Sequence, residues 1–230
     1  MVYAVIVAAG KGIRMNSATR KQYLELEGTP LLSITLRAFD KCSLIDEIIL
    51  VVPPGDIVFC LEKVISPAGI QKKVIPVAGG LKRQDSVYNG LLAVHEKKST
   101  VVIHDGVRPF VTPSSIEECI REAVKHGASI VGMPASDTLK LADGSGYIKK
   151  TLERDFVWLA QTPQAFEYGL IKKAHDSARK EGFEGTDDAS LVERLGEKVR
   201  IIKGSANNIK ITTPEDLEAA KYMLQADKPR

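Results

Sequence analysis

Cysteine is scarce in this chain, and its few thiols are far apart. Cys42, Cys60 and Cys119 are the three cysteines among 230 residues, and their spacing matches no metal-ligand motif. A small, odd number of separated cysteines is typical of reduced thiols in a reducing compartment. We therefore predict three free thiols that pack in or near the core.

Long apolar runs and blocks of like charge are also missing. The opening apolar run, residues 2–9, is too short for a signal peptide, and no other run approaches the length of a membrane span. The 32 Lys and Arg residues are nearly balanced by 29 Asp and Glu residues, with no Lys/Arg-rich block. We expect a cytoplasmic protein with no membrane or nucleic-acid partner and with small anionic ligands.

Short β-branched runs alternate along the chain with segments of helical periodicity, and 44% of the residues are apolar. The predicted strands are residues 2–8, Glu47–Val52, 73–77, 100–104, 129–133 and 198–203, and helices are predicted at 30–40, at 87–96, and after the caps Thr112 and Thr213. Continuous apolar strands separated by helices are typical of parallel sheets covered on both faces. The prediction is an α/β fold with a Rossmann-like, doubly wound, mostly parallel sheet.

One segment, residues 138–152, departs from this rhythm because its apolar and polar residues alternate around DGSG at residues 143–146. Such alternation indicates a β-hairpin, and this one is too polar for the centre of a sheet. We predict one domain over residues 1–230 with a protruding β-hairpin arm at about residues 136–154. The sequence leaves open whether the arm is a surface excursion or a dimerisation element.

A glycine-containing loop, AAGKGIRM at residues 8–15, follows the first predicted strand. This position binds phosphate in doubly wound folds, because glycines let backbone N–H groups approach anionic oxygens, and Arg14 and Lys21 add positive charge. A dinucleotide-binding fingerprint needs a third glycine, but Met15 stands at that position. It also needs an acidic residue at the end of the second strand, where this chain has Val52 followed by proline. The Walker A motif is absent from the sequence. The loop therefore disfavours NAD enzymes and P-loop kinases.

Six blocks spread over the whole chain resemble one enzyme family. They are AAGKGIRM with KQYL (8–15 and 21–24), GGLKRQDSV (79–87), HDGVRP (104–109), RDFVWLAQTPQ (154–164), TDDAS (186–190) and NIKIT (208–212). In this order they resemble the 2-C-methyl-D-erythritol 4-phosphate cytidylyltransferases of the non-mevalonate isoprenoid route. The resemblance implies in-line attack of that acceptor's phosphate on the α-phosphorus of CTP, with release of pyrophosphate.

The chain departs from the family pattern at two positions. Arg20 stands where the family usually has proline, and Leu81 stands where an acidic residue is common. The ribitol-5-phosphate cytidylyltransferases share much of the pattern, although Trp158 and the TDDAS block look more like the methylerythritol enzymes. Ribitol 5-phosphate therefore remains an alternative acceptor at this stage.

The implied chemistry needs no covalent intermediate, because the attacking phosphate is already an anion near neutral pH. In agreement, no Ser/His/Asp or Cys/His arrangement stands out in the sequence. Catalysis would rest on alignment and on neutralising charge in the transition state. The resemblance implies that Arg14 and Lys21 bind the triphosphate. It also implies that Lys210, which we predict at the end of a late strand, contacts the α-phosphate.

The resemblance also implies which residues hold the two substrates. Small residues let a base approach main-chain groups closely. The implied CTP-binding residues are Ala8, Ala9, Gly10, Gly12, Gly80, Ser86 and Asp105. The implied acceptor-binding residues are Asp105, Arg108, Thr138, Arg154, Thr162, Thr186 and Lys210. Because Thr138 and Arg154 flank the arm, the resemblance implies a homodimer in which each arm completes the partner's acceptor site.

Asp105, at the end of the fourth predicted strand, points to a metal ion. A carboxylate beside a triphosphate is repelled unless a cation lies between them, and Mg²⁺ takes oxygen ligands together with substrate phosphates. We expect Mg²⁺, or another divalent cation, at Asp105, with His104 as a packed or hydrogen-bonded neighbour. His95, His126 and His175 are predicted to be helical residues without a site role.

Two other functions remain open on the sequence alone. A nucleotide-binding regulatory module without catalysis is disfavoured by the intact set of Arg14, Lys21, Asp105 and Lys210. A dinucleotide-dependent oxidoreductase is disfavoured by Met15. Binding of CTP without turnover would favour the first, and tight binding of NAD(P) would favour the second.

Overall fold

The computed structural model of the protein describes residues 1–10 and 19–226. The strands are β1 (Val2–Val7), β2 (Glu25–Leu26), β3 (Thr29–Pro30), β4 (Glu47–Val52), β5 (Lys73–Ala78), β6 (Thr100–Asp105), β7 (Ala128–Pro134), β8 (Lys140–Ala142), β9 (Ile148–Thr151), β10 (Trp158–Glu167) and β11 (Arg200–Lys203). The α-helices are α1 (Leu31–Lys41), α2 (Ile57–Cys60), α3 (Ser66–Ala68), α4 (Arg83–Leu92), α5 (Pro113–His126), α6 (Tyr168–Glu181), α7 (Asp188–Arg194) and α8 (Pro214–Ala226).

A seven-stranded sheet in the order β11-β7-β10-β6-β1-β4-β5 forms the centre of the fold. Strand β1 pairs in parallel with β4 and β6, and parallel pairs also join β4 to β5 and β11 to β7. Strand β10 runs antiparallel to both β6 and β7. The predicted α/β, Rossmann-like, mostly parallel sheet is confirmed.

Helices cover both faces of this sheet, which explains the continuous apolar strands. In β1, Ala4 and Ile6 face a core built with α1 and α5, whereas Tyr3 and Val5 face a second core built with α4, α6 and α7. All four side chains are fully buried. Because successive strand residues point to opposite faces, only a strand covered on both sides needs this unbroken apolar run.

The helix starts follow their capping residues. The side chain of Thr112 accepts the Ser115 N–H at the start of α5. At the start of α8, the Asp216 carboxylate accepts the Thr213 N–H at 2.9 Å, and the Thr213 hydroxyl accepts the Asp216 N–H at 3.3 Å. Both predicted starts, each with proline at the first helical position, are confirmed.

The predicted hairpin is present as β8 and β9, which pair in antiparallel fashion. The Asp143 carboxylate accepts the N–H groups of Ser145 and Tyr147, and Gly146 has a φ of 86°, a left-handed conformation that favours glycine. Every residue of both strands is exposed. This hairpin, together with its flanking residues, is called the arm below.

Strand β10 is absent from the sequence-based prediction. Its polar residues Gln161, Thr162 and Gln164, and Pro163 in its middle, argue against a central strand on local criteria. A register shift between Ala160 and Gln164 accommodates this stretch, so the strand still pairs on both edges.

The three thiols are free and buried, as predicted. Within residues 1–10 and 19–226, no helix combines the length and apolarity that crossing a membrane requires.

Candidate active site

A cavity of about 540 Å³ opens where the parallel strands end. The register places Val7 of β1 beside Asp105 of β6 and beside Val51 of β4, and places Val52 of β4 beside Ala78 of β5. The segments that follow these strands form the cavity wall. This is the carboxyl edge of the sheet, where doubly wound folds bind ligands.

Small residues make one wall of the cavity because two loops approach closely there. A Cβ added at Gly79 would overlap the Cβ of Ala9, and a Cβ added at Gly80 would overlap the Cβ of Asp85. The Gly80 N–H donates to Ser86 Oγ at 3.1 Å and so fixes the loop against α4. Among the predicted CTP-binding residues, those that the structure places on the cavity wall are Ala8, Ala9, Gly10, Gly80, Ser86 and Asp105.

Two lysines reach the same cavity from different parts of the chain. Lys21 lies in a 3-10 turn, Lys21–Tyr23, and its Cε would be 4.0 Å from a Cβ added at Gly10. The Gln22 side-chain amide donates to the Ala8 carbonyl at 2.7 Å, which anchors this turn to the end of β1. Lys210 Nζ lies 2.9 Å from Asp105 Oδ2.

The position predicted for Lys210, at the end of a strand, is wrong. Strand β11 ends at Lys203, and Lys210 lies in the segment between β11 and α8. This segment is held by individual contacts rather than by a ladder: the Asn208 amide donates to the Thr162 carbonyl at 2.8 Å, and the Ile211 N–H donates to the Val107 carbonyl at 2.9 Å.

Asp105 lies among three cationic side chains. Its Oδ1 accepts from Arg83 Nε at 3.0 Å, and its Oδ2 lies 2.9 Å from Lys210 Nζ and 3.6 Å from Arg108 Nε. Burial alone would raise the pKa of Asp105, but the attraction of Arg83, Lys210 and Arg108 outweighs it and holds this pKa well below its usual range. The carboxylate is therefore ionised at neutral pH.

Buried polar groups beneath Asp105 fix its backbone. Thr162 Oγ1 accepts the Asp105 N–H at 3.2 Å and lies 3.0 Å from His104 Nδ1, while His104 Nε2 lies 3.3 Å from the Arg108 carbonyl. A neutral ring with its proton on Nε2 satisfies both contacts. Burial lowers the pKa of His104 to about 3, against the attraction of Asp105, so the ring is neutral. The prediction that His104 is a hydrogen-bonded neighbour is confirmed.

Arg83 lies in the site, although the sequence-based prediction includes no role for it. Its Nε donates to Asp105, and its Nη1 donates to Asp188 Oδ2 at 2.8 Å. Asp188 is buried, and its Oδ1 lies 3.2 Å from Nε2 of the fully buried His175. Burial lowers the pKa of Arg83, but Asp188 and Asp105 outweigh this and raise it. The signal available in the sequence was the position of Arg83, three residues before Ser86 in the GGLKRQDSV block.

The predicted acceptor residues fall into separate groups. Arg108 lies beneath Asp105 and donates from Nη1 to the Asn208 carbonyl at 2.7 Å. Thr138, Arg154 and Thr186 are exposed and are not part of the cavity wall. Arg154 donates to the Ser136 carbonyl at the base of the arm. The predicted residues Gly12 and Arg14 lie outside the described residues.

A metal ion at this site would take most of its ligands from the substrate phosphates and from water, because the residues that the structure describes offer few. The described part of the chain contains no group of three or more His, Cys, Asp and Glu residues placed to hold a metal. Asp105 is the acidic residue on the described cavity wall. One carboxylate suits Mg²⁺, which is commonly bound by one or two carboxylates together with substrate phosphates and water.

Comparison with known proteins identifies the family of this chain. A sequence model described as IspD: 2-C-methyl-D-erythritol 4-phosphate cytidylyltransferase matches residues 2–226. The enzyme of that name from Pelotomaculum thermopropionicum is 46% identical over 229 residues, covering 100% of this chain and 96% of its own. The enzyme of that name from Syntrophus aciditrophicus is 48% identical, covering 100% of this chain and 98% of its own.

Solved structures agree with the sequence comparison. The 4-diphosphocytidyl-2C-methyl-D-erythritol synthase of Anaerococcus prevotii superposes with a TM-score of 0.87 at 35% identity, covering 97% of this chain and 96% of that chain. The 2-C-methyl-D-erythritol 4-phosphate cytidylyltransferase of Thermus thermophilus gives 0.80 at 34% identity, covering 98% and 100%. Because the family model spans residues 2–226 and full-length relatives are 46–48% identical, the chain belongs to the 2-C-methyl-D-erythritol 4-phosphate cytidylyltransferase family of nucleotidyltransferases.

Proposed function

We propose that this cytidylyltransferase joins CTP to 2-C-methyl-D-erythritol 4-phosphate, giving 4-CDP-2-C-methyl-D-erythritol and pyrophosphate. The observation that carries this proposal is the convergence of Lys21, Lys210 and Asp105 on one cavity. Its volume of about 540 Å³ lies within the usual range for small-molecule sites. Family membership and the names of the full-length relatives support the choice of both substrates.

The two ends of CTP need different walls, and the cavity offers both. Ala9, Gly80 and Ser86 form a narrow wall where a flat base can approach main-chain groups. Lys21, which the family resemblance assigns to the triphosphate, lies beside Gly10 at another part of the cavity wall. We therefore place cytosine against the first wall and the phosphates beside Lys21 and Arg14.

The chemical step is a displacement at the α-phosphorus. An oxygen of the acceptor phosphate forms the new P–O bond, and the bond to the bridging oxygen of the β-phosphate breaks, so that pyrophosphate leaves with the electron pair. No proton has to be removed from the nucleophile. Lys21 and Lys210 would neutralise charge on the α-phosphate and on the leaving group, which is how phosphoryl-transfer sites gain most of their rate.

Asp105 serves this step as an anion that orients cations. Because the pKa of Asp105 is held low by its cationic neighbours, the carboxylate carries no proton at neutral pH and is a weak base. Lys210 is about one-third exposed, at 36%, and its ammonium has three donors. It can therefore contact a phosphate oxygen while Asp105 keeps it in place.

We propose Mg²⁺, or another divalent cation, as the cofactor, with Asp105 as a protein ligand beside the substrate phosphates. When bound, the ion would offset the charge of the triphosphate. Asp105 fits this role because it is ionised and lies on the cavity wall. A carboxylate has about four lone-pair sites, so Asp105 can bind the ion while its Oδ2 still contacts Lys210.

We also propose that the protein is a homodimer whose arms complete the acceptor sites in trans. Thr138 and Arg154 lie at the base of the arm, away from the cavity wall. Large apolar side chains on and near the arm are exposed, namely Leu141, Tyr147, Ile148, Phe156 and Leu159. Several large apolar side chains exposed on and near one projecting element are what an interaction surface would present. The three free thiols support a cytoplasmic location.

A pyrophosphate-release assay tests the proposed reaction. The protein is incubated with CTP, Mg²⁺ and either 2-C-methyl-D-erythritol 4-phosphate or ribitol 5-phosphate as the matched acceptor. We expect release with the methylerythritol acceptor and much less with ribitol 5-phosphate. Preference for ribitol 5-phosphate would establish the alternative acceptor. Binding of CTP without release from either acceptor would identify a regulatory module and contradict the proposal.

A further inference from the structure

The turn that carries Lys21 is held from behind by one carboxylate. Asp56 ends the 3-10 turn Pro54–Asp56, which follows β4. Its Oδ2 lies 3.0 Å from Arg20 Nε and accepts the Tyr23 hydroxyl at 3.0 Å. The residues on either side of Lys21 and Gln22 are therefore tied to a single oxygen.

Tyr23 is well placed to transmit this restraint. It is 9% exposed, its ring centroid lies 4.9 Å from that of Phe59, and its hydroxyl oxygen lies 3.2 Å from Cys60 Sγ. Burial first, and then Cys60 and Asp56, raise the pKa of Tyr23, so the hydroxyl keeps its proton and donates it to Asp56. The thiol of Cys60 can then donate to the tyrosine oxygen.

Arg20 has the backbone conformation that proline would impose. Its φ is −62° and its ψ is 137°. A proline ring locks φ near this value covalently, whereas an arginine backbone is free to leave it. In this chain, where arginine stands at a position that is usually proline in the family, the contact with Asp56 restrains the backbone through the side chain.

We propose that Asp56 is a positioning residue for nucleotide binding, which holds Arg20 and Tyr23 so that Lys21 is already directed at the triphosphate. This inference rests on the proposed role of Lys21. A cation that is fixed in advance does not have to be ordered when the ligand binds, and small displacements of such a group slow the reaction steeply. The effect should fall on CTP rather than on the acceptor, because both partners of Asp56 flank Lys21.

The variant Asp56→Asn separates the two contacts. The asparagine oxygen still accepts the Tyr23 hydroxyl, but the negative charge opposite Arg20 is lost. We expect kcat/KM for CTP to fall about tenfold, with little change in the acceptor KM or in the Tm. The matched control is Glu117→Gln, since Glu117 also pairs with one arginine, Arg121, and accepts one hydroxyl, that of Ser43. This control should leave kcat/KM unchanged.

A second background makes the test specific for the Arg20 contact. If the Arg20–Asp56 ion pair restrains the backbone as a proline ring would, Asp56 has already lost that ion pair in an Arg20→Pro protein. Adding Asp56→Asn to Arg20→Pro should then lower kcat/KM by less than about twofold relative to Arg20→Pro alone. A tenfold loss in both backgrounds, or equal losses for both substrates with a lower Tm, would overturn the inference. A wild-type protein that releases no pyrophosphate contradicts the proposed function. An active wild type with an unaffected Asp56→Asn variant contradicts this inference alone.

Discussion

At the scale of single residues, charge is distributed unevenly around Asp105. Arg83, Arg108 and Lys210 contact its carboxylate, and Arg83 is shared with Asp188. Three cations against two carboxylates leave one positive charge in excess, before Lys21 is counted. Such a site attracts a polyphosphate and holds it while the charge on the leaving group grows.

The lysines should therefore matter more for rate than for folding. We expect Lys21→Ala or Lys210→Ala to lower kcat/KM by about 10²–10³, because each removes one charge partner of the transition state. Steady-state pyrophosphate release measures this, with Lys125→Ala on the exposed face of α5 as the control. A loss of less than about threefold at either position would remove that lysine from the proposed mechanism.

The buried ring of His104 makes the folding stability of the protein depend on pH in the acid range. Its ring is neutral in the fold, with a pKa of about 3, whereas the ordinary value is 6.5. The unfolded chain therefore binds a proton that the folded chain does not. The stability contributed by the neutral ring is complete above pH 6.5 and is lost as the pH falls from 6.5 toward 3.

We expect the free energy of unfolding to fall by up to about 1.4 kcal/mol per pH unit from this group, below pH 6.5. Urea unfolding of the wild type and of His104→Gln at a series of pH values measures the difference in slope. Should the variant not fold, the imidazole NMR signals of His104 in the wild type provide the second test. Protonation of this ring near pH 6 in the folded protein would contradict the prediction.

At the scale of elements, the parallel strands were predictable and β10 was not. Strands β1, β4 and β6 can be recognised from the sequence as continuous apolar runs, because both of their faces are buried. In β10, the polar side chains of Thr162 and Gln164 are buried because β6 and α7 provide hydrogen-bond partners, and those partners are distant in sequence. Local pattern cannot contain that information.

The site shows the same division between local and distant information. The cavity wall at Ala9 and Gly80 follows from short loops at the ends of recognisable strands. The link from Arg83 to Asp188 joins residues 105 positions apart, and no spacing in the sequence indicates it. Asp56 was missed for a similar reason, since its contact with Arg20 exists only after β1 and β4 have paired.

The arm is the element whose substitution we expect to affect the KM of one substrate more than that of the other. Arg154 is anchored at the base of the arm by the Ser136 carbonyl and stays 56% exposed. We expect Arg154→Ala to raise the KM for the acceptor more than the KM for CTP, because its proposed ligand is the acceptor phosphate. Arg200→Ala, with a side chain 62% exposed on β11, is the control. Equal changes in both constants would contradict the assignment.

At the scale of the whole molecule, the proposed completion of sites in trans predicts complementation between two impaired variants, assayed at an acceptor concentration below the wild-type KM. In a heterodimer of Lys21→Ala and Arg154→Ala, one site loses both residues and the other keeps both. Random exchange of subunits should then restore about a quarter of the wild-type sites. The measurement is pyrophosphate release after mixing, compared with each variant alone.

Sites that are complete within one subunit give the opposite result. Each site of the mixed dimer would then carry one of the two substitutions, and mixing would restore nothing. Sedimentation of the wild type provides the accompanying control, since a monomer at assay concentration would exclude completion by a partner.

Strand β10 couples two regions that appear separate in sequence. Its first residues, Trp158 and Leu159, lie at the root of the arm. Farther along, Thr162 supports Asp105, and Gln164 accepts the N–H groups that begin α7. A chimera between two relatives whose boundary falls just after Leu159 would separate the part of β10 next to the arm from the part that supports Asp105. A transplant that keeps the arm and the whole of β10 together would preserve the connection between the arm and Asp105.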